Sequence, residues 1–383
     1  MTTNIDLTPR PPATDVLLDI DNLNVSFPTE DGLIKAVRGV SYQLRRGETL
    51  GIVGESGSGK SVSSLALMGL LPRSAEVTGS ARFRGDELLG KSDAAMSQVR
   101  GQKIAMIFQD PLTSLNPVYK VGKQIAEAVL VHNDIGKKDA WDRAVDLLDV
   151  VGIPFPEQRV QSYPHEMSGG MRQRVVIAIA MANNPDVMIA DEPTTALDVT
   201  VQAQVLEALE AARTEIGAAL ILITHDLGVI AGHADRICVM YAGKLVESGT
   251  IDDIFYNPRM PYALGLLGSL PRMDAGRDAR LTPIVGQPPS LLNLPPGCPF
   301  RPRCPLAQDI CDEVEPDLTP VDATGHTAAC HFSDRLAGMA ASDVFAVTSV
   351  DVNTDEVVVA ETELAETELT DGAEPVTPPE EHQ

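Results

Sequence analysis

The sequence predicts an α/β fold assembled around a phosphate-binding loop, with a helical insertion, a small cysteine-containing C-terminal domain and a disordered acidic tail. Strand-like and helix-like patterns alternate from about residue 16 to residue 255. The apolar strand Thr49–Val53 runs directly into a glycine loop, and a helical stretch over residues 61–70 follows. A second apolar strand, over residues 187–190, ends in the acidic pair Asp191-Glu192.

The loop reads Gly54-Glu55-Ser56-Gly57-Ser58-Gly59-Lys60-Ser61 and matches G-x-x-x-x-G-K-[ST] in full. Glycines in this pattern let backbone N–H groups curl around phosphate oxygens. Lys60 has the reach for β- and γ-phosphates, and the Ser61 hydroxyl suits Mg²⁺. The helix that follows points its positive N-terminus at the same anion. An ordinary glycine turn would account for the glycines but not for the Lys-Ser pair between a strand and a helix. Asp191 ends its strand where a carboxylate can hold Mg²⁺, often through water. Glu192 is placed to polarise the attacking water as general base. Alone, such a pair is a solvated strand end; beside a complete phosphate loop the catalytic reading is the stronger.

Residues 111 to about 165 are poor in strand signals and helix-like, which predicts a helical insertion over about residues 110–180. Alternation resumes with helices expected over 168–181 and 201–213 and a strand over 219–223. Ser168 is expected to cap the first of these helices, and Gly169 and Gly170 leave room for a phosphate at its N–H groups.

The string Met167-Ser168-Gly169-Gly170-Met171-Arg172-Gln173-Arg174 resembles the signature element of the ABC ATPase superfamily, and the resemblance covers about residues 16–255 with its landmarks in order. It implies that Phe27 stacks on adenine, that Gln109 belongs to the Q-loop, that Ala196-Leu197-Asp198 is the D-loop and that His225 is the switch histidine at the γ-phosphate. Nucleotide would then be held by Phe27, Gly54 to Ser61 and Gln109, with Mg²⁺ on Ser61, Gln109 and Asp191. In the family two such domains meet head to tail, so Ser168, Gly169, Gly170 and Gln173 would act in trans on ATP bound by a second chain.

Longer strings resemble the D-type ATPase of oligopeptide/dipeptide importers over about residues 16–333. They include Gln109-Asp-Pro-Leu-Thr-Ser-Leu-Asn-Pro117, Asp191-Glu-Pro-Thr-Thr-Ala-Leu-Asp198 and Gly297-Cys-Pro-Phe-Arg-Pro-Arg-Cys304. Met167 stands where leucine is usual, a volume-conserving departure. This resemblance implies ATP hydrolysis that drives peptide import from the cytoplasmic face of the membrane. The implied partners are a homologous F-type ATPase subunit or a second copy of the chain, two permease subunits and an extracytoplasmic substrate-binding protein. Import of nickel or another small solute, or a soluble non-transport ABC ATPase, are the alternatives.

At 383 residues the chain has room for one large domain and a smaller one. Its longest apolar runs, residues 175–182 and 218–223, are too short to cross a bilayer, and residues 1–15 read as a flexible N-terminus without a signal pattern. A membrane role is therefore expected to need partner subunits. The formal charge is −24, and residues 336–383 hold twelve Asp and Glu with no Lys or Arg. That composition predicts a disordered acidic tail over 334–383 and argues against nucleic acid as a partner.

Beyond residue 256 prolines become frequent and periodicity fades, which predicts a small appended domain over residues 257–333 that needs a staple. Cys298, Cys304, Cys311 and Cys330 are spaced C-x5-C-x6-C-x18-C. A cytosolic setting disfavours structural disulfides, so the set suits a thiolate-bound metal. Zinc sites usually show C-x2-4-C pairs, and none occurs here; a [4Fe–4S] cluster is favoured, with Zn²⁺ second and free thiols third. His331 is a weaker substitute ligand. Cys238, alone in an apolar run, reads as a buried thiol.

Overall fold

The computed structural model describes residues 15–195, 197–270, 282–323 and 325–345. The described residues open on two long antiparallel strands, β1 (Val16–Thr29) and β2 (Gly32–Arg45). After β3 (Thr49–Val53) and α1 (Lys60–Leu67), β4 (Glu76–Phe83) returns to the other edge of β1, and β5 (Asp86–Glu87) completes a sheet in the order β2-β1-β4-β5.

Next come α2 (Asp93–Ser97) and β6 (Ile104–Ile107). The expected helical insertion follows as α3 (Pro111–Ser114), α4 (Val121–His132), α5 (Lys137–Val150), α6 (Pro156–Arg159) and α7 (Gly169–Met181). In α5 the buried residues Ala140, Ala144, Leu147 and Leu148 recur at helical spacing and form one stripe. The α/β pattern then resumes through β7 (Val187–Asp191), α8 (Val199–Ile216), β8 (Ala219–Thr224), α9 (Leu227–Ile230), β9 (Arg236–Tyr241), β10 (Lys244–Thr250) and α10 (Ile251–Tyr256).

Strands β3, β6, β7, β8 and β9 pair in parallel at the centre of a large sheet. Both of its faces are covered, so these strands read as nearly continuous apolar runs. Side chains still alternate between two cores. Leu220 and Leu222 of β8 face the core shared with the helices, whereas Ala219, Ile221 and Ile223 face the core under the antiparallel sheet. This double burial fixes the C-terminal ends of β3 and β7, where the phosphate loop and the acidic pair emerge.

The chain after α10 does not stand apart as the sequence led us to expect. Helix α11 (Pro261–Gly268) buries Tyr262 completely, and Phe300, Ala329 and Leu336 belong to the same core as β9 and α7. Past α12 (Ile310–Glu313), the short strands β11 (Thr319–Pro320) and β12 (Thr327–Ala328) extend the large sheet to β11-β12-β10-β9-β3-β8-β7-β6. Glu315 ties this segment back to β2 and β10 through Arg38 at 2.8 Å and Lys244 at 3.0 Å. The segment lacks periodicity of its own because its apolar side chains complete a core that the first 256 residues have already built.

The expected boundary at residue 334 also moves. Leu336, and Ala341, Val344 and Phe345 in and after α13 (Ala341–Val344), are buried in the main core. The remainder of the expected acidic tail, residues 346–383, and residues 1–14 of the expected flexible N-terminus lie outside the described residues.

Candidate active site

Residues 55–62 together with Gln109, Glu192 and His225 line an open cleft of about 500 Å³. Gly59 caps α1 in the left-handed region, at φ +102°, and a Cβ there would lie 2.4 Å from the Ala36 carbonyl oxygen. No other residue fits that turn without shifting β2. Lys60, the first residue of α1, is buried, and its Nζ donates to the carbonyl oxygens of Gly54 at 2.7 Å and Glu55 at 3.0 Å. Burial lowers its pKa, while the carboxylates of Glu192, Asp191 and Glu55 oppose that shift. A polyanion entering the cleft meets this ammonium and the free N–H groups of the first turn of α1.

The acidic pair joins the loop from β7. The Ser61 hydroxyl donates to Asp191 Oδ1 at 2.8 Å. Burial raises the Asp191 pKa, against the lowering effect of that hydrogen bond and of Lys60. Glu192 sits in the left-handed region at φ +46°, a sparsely populated conformation for a glutamate. Its N–H donates to the Ile223 carbonyl of β8 at 2.9 Å, which holds the kink. Four side chains converge on its carboxylate: Gln109 Nε2 at 3.0 Å, Thr195 Oγ1 at 2.9 Å, His225 Nδ1 at 3.6 Å and Lys60 Nζ at 3.9 Å. Gln109, expected as an Mg²⁺ ligand beside Ser61 and Asp191, donates here to Glu192.

The signature residues lie elsewhere. Ser168 caps α7, accepting from Met171 N–H at 3.3 Å, and is exposed with Gly169. Gly170 is buried, and a Cβ on it would meet Val201 Cγ1 of α8 at 2.4 Å, so helix packing alone demands glycine there. Gln173 is buried in α7. Asp198 caps α8 through Val201 N–H at 3.1 Å. Phe27, half-buried in β1, packs on the core beneath the antiparallel sheet and is not among the residues lining the cleft.

Two residues that sequence reasoning did not single out reach the loop from the C-terminal segment. Tyr262 Oη accepts from the Glu55 N–H at 2.8 Å, and Arg303 pairs with the Glu55 carboxylate at 2.6 Å. The one available signal was Glu55 itself, an acid in a loop built for anions.

None of the four C-terminal cysteines is in a disulfide, and Cys298, Cys311 and Cys330 all lie near enough to Cys304 to act on it electrostatically. Cys298 N–H donates to the Cys311 carbonyl at 2.8 Å, and the turn Arg301–Arg303 bridges Cys298 to Cys304. Backbone N–H groups point at the sulfurs: Phe300 and Arg301 at Cys298, Leu306 at Cys304 and Phe332 at Cys330. Burial first, then the neighbouring cysteines, push Cys304 up to about 12 and Cys330 up to about 11. The His331 ring is engaged with the Val314 carbonyl at 2.9 Å. Cys238 is buried beside Ser248, as expected.

A glycine loop of the phosphate-binding pattern, a strand-terminal Asp-Glu pair, a glutamine and a histidine meeting on that glutamate, and a Ser-Gly-Gly helix start on a two-sheet α/β fold together are the features of an ATP-binding cassette domain. Comparison with known proteins agrees. The ABC transporter family model matches residues 37–195, and the model for the oligopeptide/dipeptide transporter C-terminal region matches residues 246–311. The chain is 56% identical over 332 residues to the oligopeptide transport ATP-binding protein OppD of Mycobacterium tuberculosis, covering 86% of this chain and 54% of that protein. It is 53% identical to the dipeptide transport ATP-binding protein DppD of Bacillus subtilis, covering 84% and 96%, and 50% identical to OppD of Escherichia coli, covering 82% and 93%. This chain thus spans about half the length of the mycobacterial relatives it matches. Among solved structures, an ATP-binding cassette dimer in a post-hydrolysis state with ADP and Pi superposes with a TM-score of 0.55 at 25% identity, covering 61% of this chain and 99% of that one. The chain belongs to the oligopeptide/dipeptide transport ATP-binding proteins of the ABC transporter family.

Proposed function

We propose that this chain binds and hydrolyses MgATP to power import of peptides through a membrane ABC transporter. The observation that carries the reading is the convergence of Lys60, Gln109, Thr195 and His225 on Glu192, beside the Ser61–Asp191 pair and within one cleft. Ser61 and Asp191 are the residues that would hold Mg²⁺, whose role when bound is to neutralise phosphate charge. Glu192 accepts the proton of the attacking water, and His225 and Gln109 orient that carboxylate. Lys60 exchanges its carbonyl partners for phosphate oxygens. Ser168 and Gly169 are exposed and outside the cleft, so they serve ATP held by a second ATPase chain, either an F-type homologue or a copy of this one.

Among the described residues no helix is long and apolar enough to cross a membrane, so transport needs permease subunits. The exposed side chains Phe108 and Val131 line one groove with Leu70 and Met106, an apolar surface beside Gln109 in the chain that suits them. An extracytoplasmic binding protein delivers the peptide. Extraction in mild detergent tests this: permease subunits should co-purify, and substrate-loaded binding protein should stimulate ATPase activity. A fully active chain that brings down no membrane subunit would contradict the transport role.

Cys298, Cys304, Cys311 and Cys330 are the residues that would hold a [4Fe–4S] cluster. The donor set fits: the four thiols are free, burial and neighbouring cysteines raise the pKa of Cys298, Cys304 and Cys330, and backbone N–H groups aim at those three sulfurs. A single zinc would draw the sulfurs to about 3.8 Å from one another, given Zn–S near 2.3 Å. Among the described residues the one group of three or more such ligand atoms within 4.8 Å of one another is Asp253, Asp322 and His326, not the cysteines. Iron and acid-labile sulfide measured on anaerobically purified protein should each approach about four per chain. One zinc without iron would instead support the tighter site, and neither metal would leave four free thiols.

A further inference from the structure

We propose that Arg303 is a positioning residue for the phosphate loop, neutralising Glu55 and holding its carboxylate away from Lys60 and the incoming triphosphate. This rests on reading residues 54–61 as the phosphate site. A glutamate second in such a loop is an electrostatic problem, because it faces a polyanion and competes for the lysine that binds it. Glu55 lines the cleft, its carbonyl accepts from Lys60 at 3.0 Å, and its charge acts on Lys60. A free carboxylate at this position would pair with Lys60 and repel ATP.

The structure turns the carboxylate the other way. Arg303 grips it with both terminal nitrogens, Nη1 to Oε2 at 2.6 Å and Nη2 to Oε1 at 2.8 Å. This two-point geometry is one that arginine makes and lysine does not. The Arg303 side chain is 4% exposed and that of Glu55 27%. The hydrogen bonds it donates to the Glu55 carboxylate favour the charged guanidinium, against the opposing effect of burial. Its remaining contacts fix its direction: Tyr241 Oη at 3.4 Å, the Val285 carbonyl at 3.4 Å, and the rings of Tyr241 and Phe300 with centroids 5.9 Å away. Those rings pack with Tyr262 at centroid distances of 4.5 to 5.5 Å, and Tyr262 in turn accepts from Glu55 N–H. Both the side chain and the backbone of Glu55 are thus held by the C-terminal segment. Arg303 sits in the turn that bridges Cys298 and Cys304, so the conformation of the cysteine loop is passed to the nucleotide cleft by a residue that need not touch nucleotide.

The experiment is MgATP titration and steady-state kinetics on the full chain in its assembled complex. Arg303→Ala should weaken MgATP binding and raise KM about tenfold, with kcat changed less and the defect shrinking as salt rises. Arg303→Lys should fall between, since it keeps the charge without the fork. Adding Glu55→Gln to Arg303→Ala should restore affinity to within about threefold, because the charge that Arg303 offsets is then gone. An Arg303→Ala protein with a lowered Tm but unchanged Kd and KM, or a defect that Glu55→Gln does not relieve, would overturn the proposal. Should Arg303→Ala fail to fold, Arg303→Lys with and without Glu55→Gln gives the same comparison. Lys60→Ala separates the two levels: unchanged ATP affinity there removes the phosphate-site reading itself. Lost affinity in Lys60→Ala with none lost in Arg303→Ala removes the role of Arg303 alone.

Discussion

Asp191 is held with a carboxyl pKa above its ordinary value, chiefly by burial. The consequence for pH follows from the sign. A folded-state pKa that is raised favours the fold below the unfolded value, and that contribution is lost as pH rises through the folded value. A bound Mg²⁺ reverses this by favouring the charged form, and it must displace the proton to bind. The rise in Tm produced by MgATP should therefore shrink as pH falls through the raised Asp191 pKa, while binding of ATP without metal changes less. Thermal melts with and without Mg²⁺ across that range check this, and a Mg²⁺ effect independent of pH would rule it out. Ser61, Asp191 and Glu192 were legible from sequence because each belongs to a short local string whose residue types fix its chemistry. The Glu55–Arg303 pair was not, because 248 residues separate its members and only the tertiary fold brings them together.

At the scale of elements, Gly169 and Gly170 appear equivalent in sequence but have different structural reasons. A Cβ at Gly170 would press into Val201 at 2.4 Å, whereas one at Gly169 would meet Leu197 at an ordinary 3.5 Å. Gly170→Ala should then force α7 and α8 apart and cost about 1–3 kcal/mol of stability. Gly169→Ala should leave stability within about 0.5 kcal/mol and show its effect in ATP hydrolysis by the assembled pair. Denaturant titration of both variants distinguishes them; equal losses of stability would contradict the packing assignment. Strands β3, β7 and β8 were legible because burial on both faces leaves nearly unbroken apolar runs. The two-residue strands β11 and β12 carry no period at all, and their partner β10 lies about 80 residues upstream by register, Glu247 opposite Ala328.

Over the described residues, the C-terminal segment is part of the main core and holds Glu55 of the glycine loop through Tyr262 and Arg303. A chain ending at Ala346 should fold and hydrolyse ATP as the full chain does. A chain ending at Asp334 removes Leu336, Val344 and Phe345 from the main core and should lose several kcal/mol, since removing one large buried side chain costs about 2–5. Melting temperature and soluble yield of the two truncations measure the difference, and equal stability would return the boundary to residue 334. The boundary read early because residues 336–383 hold acids and no Lys or Arg, while Leu336, Ala341, Val344 and Phe345, the side chains that pack, are scattered among small ones.

The central claim is that this fold holds a working ATP site whose general base is Glu192. The most direct measurement is MgATP turnover and MgATP binding by the assembled complex, with the unmodified chain and with Glu192→Gln. Removing a positioned base costs about 10²–10⁴ in rate, so turnover at this chain's site should fall by at least a hundredfold while MgATP stays bound through Lys60, Ser61 and Asp191. Hydrolysis at the unmodified rate by the substituted complex would contradict the account.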